Sequence, residues 1–382
     1  MDSEGSVGDK QPTILMLAGE ASGDQHGAGV ARELKARWPG CRLLGLGGPA
    51  MREEGVELLA DLDRLAVMGF AEVIRHLPFF YKLERRIREV LDHDDIDLVL
   101  PIDYPGFNLR MAKEAHRREI PVLYYIAPQV WAWKPGRISR LAEDCDHLAV
   151  ILPFEVDVFR KAGAQVTFVG HPLLEECVLE PNEVQFRKRW KLDGDKPILA
   201  LFPGSRLQEI ARHRDLFLAT GRMLQESRPD LQLVWAKASS IAASHFDTSG
   251  LPVVEDARSL LAHSRAALVK SGTTTLEAAL QGTPFVTVYR THPFTYMLAR
   301  QLVQVDRVAL ANLVVGRDVV PELLQGAATP ANLAARVEPL LDLESTERRV
   351  MVSGLADVQN ALGEPGAATR VAGLAAEVLA KV

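Results

Sequence analysis

The chain has 382 residues, a formal net charge of −6, 47% hydrophobic residues and 25% charged residues. That length exceeds one ordinary hydrophobic core, so two domains of similar size are expected. The composition excludes a disordered or fibrous chain, and the negative balance argues against a protein that wraps nucleic acid.

Residues 1–12 are polar and acidic, without the basic start and apolar centre of a signal peptide, and are expected to be a disordered extension. Thr13–Ala18 is a continuous apolar run, as in a buried parallel strand. It feeds the glycine-rich loop Gly19-Glu20-Ala21-Ser22-Gly23-Asp24 and a helix to about Trp38, the opening of a Rossmann-like unit. Ser22 and Gly23 in that loop are candidate ligand contacts, although a tight turn with a capped helix explains the same residues. The loop does not follow Gly-x-Gly-x-x-Gly, and no acidic residue ends the second strand, Leu43–Leu46, so a nicotinamide cofactor is disfavoured. Gly45-Leu46-Gly47-Gly48-Pro49 reads as a glycine turn.

The apolar clusters Leu65–Phe70 and Leu77–Tyr81 alternate with Arg75, His76, Lys82, Arg85, Arg86 and Arg88. They fit either an interfacial membrane surface or an amphipathic core helix with a solvated basic face. Asp97–Ile102 is the next strand and ends at Asp103. A carboxylate at the carboxyl end of a parallel strand sits where open α/β sheets bind ligands. Asp103 can act as a general base if its environment tunes it, or it can cap the helix that starts near Phe107. Between Gly106 and Arg140 lie Arg110, Lys113, Arg117, Arg118, Lys134, Arg137 and Arg140 against Glu114 and Glu119, a local basic face. The strand Val122–Ile126 leads into a loop holding Trp131 and Trp133, whose aromatic surface calls for core, lipid or substrate to pack on. Strands His147–Val150 and Val166–Val169 follow, the latter running into Gly170-His171-Pro172.

A polar helix and linker over Glu180–Asp195 separates a first domain, residues 13–190, from a second, residues 191–350. The second opens with the strand Pro197–Phe202 and the loop Pro203-Gly204-Ser205-Arg206, then a helix to about Ser227. Arginine beside a Gly-Ser turn can pair bidentately with phosphate oxygens while N–H groups hold the rest. Leu231–Val234, Val253–Val254 and Ala266–Val269 are further strands. After the last comes Lys270-Ser271-Gly272-Thr273-Thr274-Thr275, opening a helix with Glu277 near its start. Such a loop suits a phosphate, and the carboxylate suits a ribose; an N-cap with a capping-box Glu accounts for the same pattern. Another strand spans Pro284–Val288, and residues 351–382 read as helices packing on another domain or subunit.

Cys41, Cys145 and Cys177 are three in number and widely spaced, so neither a zinc site nor a disulfide framework is indicated. No Asp-x-Asp pair follows an early strand, which favours charge neutralisation by Arg206 and helix starts over a divalent ion; no cofactor and no metal are expected. No apolar run approaches ~20 residues, so nothing is expected to span a membrane, and a cytoplasmic location is expected.

The ordered series Gly19–Asp24, Leu65–Val73, Ile102–Asn108, Pro128–Trp133, Pro153–Glu155, Gly170–Pro172, Pro203–Arg206, Ser271–Thr273 with Glu277, and Pro293–Thr295 resembles lipid A disaccharide synthase over about residues 13–325. The resemblance implies a GT-B α/β fold, two Rossmann-like doubly wound domains facing a cleft. It implies inverting transfer of 2,3-diacylglucosamine from UDP-2,3-diacylglucosamine to the 6-hydroxyl of 2,3-diacylglucosamine 1-phosphate (lipid X). Asp103 is then the base or an essential catalytic group. Arg206 lies near the diphosphate with Gly204 and Ser205, Ser271, Gly272 and Thr273 hold phosphate or ribose, and Glu277 reads the ribose. Val67, Met68, Phe70, Trp131 and Trp133 are expected to meet acyl chains or the inner face of the cytoplasmic membrane, as a peripheral enzyme and a possible homodimer. Many members carry a second Asp where this chain has Gly106. The competing readings are a UDP-N-acetylglucosamine 2-epimerase-like isomerase and a catalytically silent nucleotide-sugar binding protein.

Overall fold

Strand β1 (Thr13–Ala18) is central because Ile14 to Ala18 are apolar on both faces, and all five are buried in the folded chain. The computed structural model describes residues 11–61, 73–129, 138–175, 182–239, 241–246, 250–291 and 307–381. Around β1 a seven-stranded parallel sheet forms in the order β3-β2-β1-β4-β5-β6-β7. Its other members are β2 (Arg42–Gly47), β3 (Glu57–Asp61), β4 (Leu98–Ile102), β5 (Leu123–Tyr125), β6 (His147–Val150) and β7 (Val166–Phe168). The second sheet has the order β10-β9-β8-β11-β12-β13. Its strands are β8 (Ile198–Phe202), β9 (Gln232–Ala236), β10 (Val253–Val254), β11 (Ala266–Lys270), β12 (Phe285–Tyr289) and β13 (Glu322–Leu324). Both sheets wind outward in two directions from their first strand, the doubly wound Rossmann pattern, so each has a switch point where ligands bind beyond the carboxyl ends of the strands. The expected α/β fold of two Rossmann-like sheets is present.

The chain divides into two units, Met1–Pro172 with Glu364–Val382, and Leu173–Gly363. The closing helix, Ala367–Leu379, packs on helix α1 (Ala21–Arg37) and on β5 and β6 in the first unit. Its Ala368 Cβ would touch a Cβ at Gly29 at 3.5 Å, so small residues set that close approach. The preceding helix, Thr346–Ala361, stays in the second unit, where the Gln359 amide donates to Ala279 O at 2.8 Å.

The predicted glycine turn at Gly45–Pro49 is corrected. Gly45 and Gly47 belong to β2, and helix α2 starts at Pro49 and runs to Glu53. Gly45 pairs with Met16 at a φ of +153°, and a Cβ there would fall 1.8 Å from Met16 O. The glycine serves a close strand approach instead of a reversal. Strands β3 and β13 were not foreseen; both are edge strands.

Helix α3 (Val73–His93) buries Leu83, Ile87, Val90 and Leu91 while Tyr81, Lys82, Arg85 and Arg86 are exposed. Over its second half it is therefore an amphipathic helix on the core with a basic outer face. Val67, Met68, Phe70, Trp131, Trp133 and Pro293–Thr295 lie outside the described residues, as do residues 1–10.

Candidate functional site

At the first switch point, β4 ends and helix α4 (Pro105–His116) begins within two residues, Asp103 and Tyr104. Both take the left-handed conformation, with φ of 48° and 50°. Two consecutive non-glycine residues in that region are strained, by about 1–3 kcal/mol each, and persist only where the surroundings enforce them. Here the enforcement is visible. The Asp103 N–H donates to Tyr125 O at 3.0 Å. Its carbonyl accepts from the Asn108 amide at 2.7 Å and the Tyr124 hydroxyl at 2.8 Å. Asn108 is buried and also donates to Leu17 O at 2.9 Å, tying this turn to β1. Pro105 fits the first helical position, where a missing N–H costs nothing.

The N-cap position of α4 is Tyr104, so Asp103 is not the capping residue. Burial pushes its carboxyl up to about 6, Glu20 on the neighbouring loop adds to that rise, and the Tyr104 N–H opposes it. A carboxyl of that strength accepts and releases protons near neutral pH. Asn108 and Tyr124, which hold Asp103 in place, were not singled out from the sequence. The signal lay in an Asn five residues after Asp103, in the first turns of a helix where Asn is a poor interior residue.

Of the neighbouring motif, Asp24 is a structural anchor. Buried in α1, it accepts from the N–H groups of Gly48 at 2.7 Å, Ala50 at 3.0 Å and Met51 at 3.0 Å, and so caps α2 from outside. Gly23 is buried against β1, where a Cβ would meet the Ala18 Cβ at 3.4 Å. Ser22 is exposed on the first turn of α1.

At the second switch point the loops after β8 and β11 line a cavity of about 450 Å³ that takes in Gly204, Ser205, Arg206, Ser271, Gly272, Thr273 and Glu277 together. Glu209, in the first turn of the helix Leu207–Ser227, organises it. One of its oxygens accepts from the Ser205 N–H at 3.0 Å, and the other from Lys270 Nζ at 2.9 Å. Burial disfavours its charge, but Lys270, the Ser205 N–H and Arg206 outweigh it and hold the carboxyl below its ordinary value. Gly204 sits at φ +121°, and a Cβ there would lie 2.5 Å from the Glu209 carboxylate, so only glycine lets the loop close on it.

Arg206 reaches Glu209 only loosely, at 3.6 Å, and is 76% exposed, the cation best placed to turn toward an incoming anion. Lys237 also lines the cavity, is buried, and pairs with Glu255 at 2.9 Å. Thr273 is exposed at the start of the helix Thr274–Leu280, where the first N–H groups lack intrahelical acceptors. Ser271 is differently employed: its hydroxyl donates to Val308 O at 2.7 Å and its N–H to Val288 O at 2.9 Å. Both donors hold the loop in place, which leaves the following residues to face the cavity. Glu277 is half-buried and paired with Arg258 at 3.6 Å, so its charge is balanced by a neighbouring cation. Lys237 and Glu255, and Arg258 behind Glu277, were not foreseen, because only the fold brings their strands and helices together. Among the described residues no group of three His, Cys, Asp or Glu side chains is placed to hold a metal ion. Ser22, Gly23 and Asp103 lie in the first unit, and Gly204, Ser205, Arg206, Ser271, Gly272, Thr273 and Glu277 in the second.

The family model for lipid-A-disaccharide synthetase matches residues 14–365. The chain is 39% identical to the lipid-A-disaccharide synthase of Geobacter metallireducens, over 96% of this chain and 97% of that one. It is 40% identical to that of Myxococcus xanthus, over 96% and 98%. Among solved structures, the kitacinnamycin glycotransferase superposes with a TM-score of 0.65 at 17% identity, covering 97% of this chain and 100% of the other. The UDP-GlcNAc 2-epimerase from Neisseria meningitidis bound to UDP-GlcNAc superposes with a TM-score of 0.66 at 12% identity, covering 97% and 100%. These two likenesses establish a shared fold.

Proposed function

The chain belongs to the lipid-A-disaccharide synthetase family and is a glycosyltransferase; we propose that it moves 2,3-diacylglucosamine from UDP-2,3-diacylglucosamine to the 6-hydroxyl of 2,3-diacylglucosamine 1-phosphate, with inversion. The observation that supports the assignment of roles is Asp103, a carboxyl near neutral strength held at the carboxyl end of β4 by an enforced left-handed turn.

A primary hydroxyl is a weak nucleophile, so its proton passes to Asp103 as its oxygen bonds to C1 of the donor sugar. The bond from C1 to the diphosphate breaks on the opposite face, and its electron pair leaves with UDP. Arg206 and the N–H groups of Gly204, Arg206, Gly272 and Thr273 oppose the growing charge. Glu277, balanced by Arg258, accepts hydrogen bonds from the ribose hydroxyls. We also assign Ser22 and Gly23 a part in binding the UDP-sugar. The family assignment favours this reading over an epimerase or a silent binding protein.

Both substrates carry acyl chains, and no helix among the described residues is long and apolar enough to cross a membrane. We therefore assign a peripheral attachment to the inner face of the cytoplasmic membrane. The exposed Tyr81, Lys82, Arg85 and Arg86 of α3 meet anionic headgroups, and Val67, Met68, Phe70, Trp131 and Trp133 meet acyl chains.

The test is UDP release from UDP-2,3-diacylglucosamine in detergent, with and without the acceptor. Release that needs the acceptor and yields a tetraacyl disaccharide phosphate is expected. In Asp103→Asn the rate should fall by about 10²–10⁴ while UDP binding is kept. Acceptor-independent UDP release, or near-normal turnover of the variant, would remove the reaction or the base assignment respectively.

A further inference from the structure

We propose that Glu20 is a second functional carboxylate at the first switch point, a positioning residue that sets the proton affinity of Asp103; the proposal rests on the reading of Asp103 as the base. Ala18 and Ile102 are register partners in β1 and β4, so Gly19-Glu20 and Asp103-Tyr104 leave the same edge of the sheet side by side. The two loops interlock. The Tyr104 ring lies directly on Gly19, where a Cβ would fall 2.1 Å from the ring carbons.

Glu20 occupies the N-cap of α1 in extended conformation, yet its side chain makes no capping bond. Ser, Thr, Asp and Asn are the residues that cap well, so a glutamate at this position is not explained by helix formation. Glu20 is instead exposed. After burial, its charge is the next influence that raises the Asp103 carboxyl, and it also raises the Tyr104 hydroxyl. From α4, Arg110 acts on Tyr104 in the opposite sense. From β5, the Tyr124 hydroxyl is committed to the Asp103 carbonyl. Burial, helped by His26 on α1, keeps His171 beyond β7 well below its ordinary value, at about 4, hence neutral. Glu20 is therefore the like charge in the set that confronts Asp103.

A carboxylate beside a carboxylate makes the second proton harder to remove. Glu20 thus keeps Asp103 a stronger base than burial alone would, and its removal lets Asp103 ionise at lower pH. A sugar 1-phosphate titrates in the same range, so the test needs a readout without substrate. We would follow the Asp103 carboxyl carbon by NMR in full-length protein labelled at aspartate, assigned by its loss in Asp103→Asn. In parallel, acceptor-dependent UDP release would be measured across pH for the wild type, Glu20→Gln, Glu20→Asp and Asp103→Asn.

Glu20→Gln should move the Asp103 titration and the acid limb of kcat/KM down by about half a pH unit, the order expected of one partly solvated like charge. Glu20→Asp should restore both. Coincident titrations in wild type and Glu20→Gln would overturn the proposal and leave the base reading intact, provided Asp103→Asn remains inactive. Near-normal turnover of Asp103→Asn would overturn the base reading and the role of Glu20 with it.

Discussion

Asp103→Asn should make the protein less active and more stable, and the stability gain should depend on pH in a defined direction. In the folded chain the carboxyl is pushed from 3.8 to about 6, so the folded state holds its proton more tightly than the unfolded state does. Below the unfolded value both states are protonated and the group has no net effect. As pH rises through the window from 3.8 to about 6, the unfolded chain ionises first, and the folded state is progressively penalised. Above that window the full penalty applies, roughly 3 kcal/mol at 1.36 kcal/mol per pH unit of difference, an upper figure because solvent reaches part of the group. Asparagine has no charge to desolvate, keeps an oxygen for the Tyr104 N–H, and tolerates the left-handed conformation well. Thermal unfolding of wild type and variant at pH 8 and pH 5 would measure this. At pH 8 the variant should melt roughly 5 °C or more above wild type, with about half that gain left at pH 5. An equal gain at both pH values would assign the effect to backbone conformation. A variant no more stable at pH 8 would refute the picture of a carboxyl held against its own ionisation.

Three further substitutions test the frame around the site. Asp24→Ala removes the acceptor for three backbone N–H groups, two of those bonds buried, and should lower stability by about 3 kcal/mol, read as a fall in Tm with little change in KM for whatever remains folded. Gly204→Ala should raise KM for the UDP-sugar at least about tenfold, because its Cβ would displace the Glu209 carboxylate that holds Ser205 and Lys270; unchanged KM would show that this loop does not shape the donor site. Gly106→Asp should fold normally, since a Cβ there meets nothing within 4 Å, and a carboxylate in the first turn of α4 is favourable by about 0.3–1 kcal/mol; a Tm drop of several degrees would contradict this.

The central strands were legible because they are buried on both faces, and a run such as Thr13–Ala18 or Pro197–Phe202 has no other good use. The loops at both switch points were legible too, as small residues between an apolar run and a helix. Edge strands such as Glu57–Asp61 and Glu322–Leu324 were not, since they are short and mix charge with apolar residues like any surface segment. Gly45 misled because glycine marks both turns and close backbone approaches, and only the Met16 carbonyl opposite it tells them apart. Tertiary partners were the least legible. Nothing local ties Asn108 to Leu17, Arg258 to Glu277 or Asp24 to Gly48, because each bond joins elements that the winding of the sheet brings together.

The two sheets have the same winding, yet their switch points carry opposite electrostatics. The first presents Asp103 with Glu20 on the neighbouring loop, which we propose as the place for a proton to go. The second presents Arg206, Lys270 and helix-start N–H groups around a glutamate already committed to Lys270, which we propose as the place for an anion to sit. The difference lies in a few residues at strand ends, and the strands themselves are interchangeable in kind. That is why an epimerase and a glycotransferase superpose equally well on this chain, with TM-scores of 0.66 and 0.65, while sharing few residues with it. The reaction must therefore be argued from the loops. A transfer from a nucleoside diphosphate to a hydroxyl requires one group to take a proton and another to hold the leaving charge, the roles we propose for Asp103 and for Arg206 with the loops beside it.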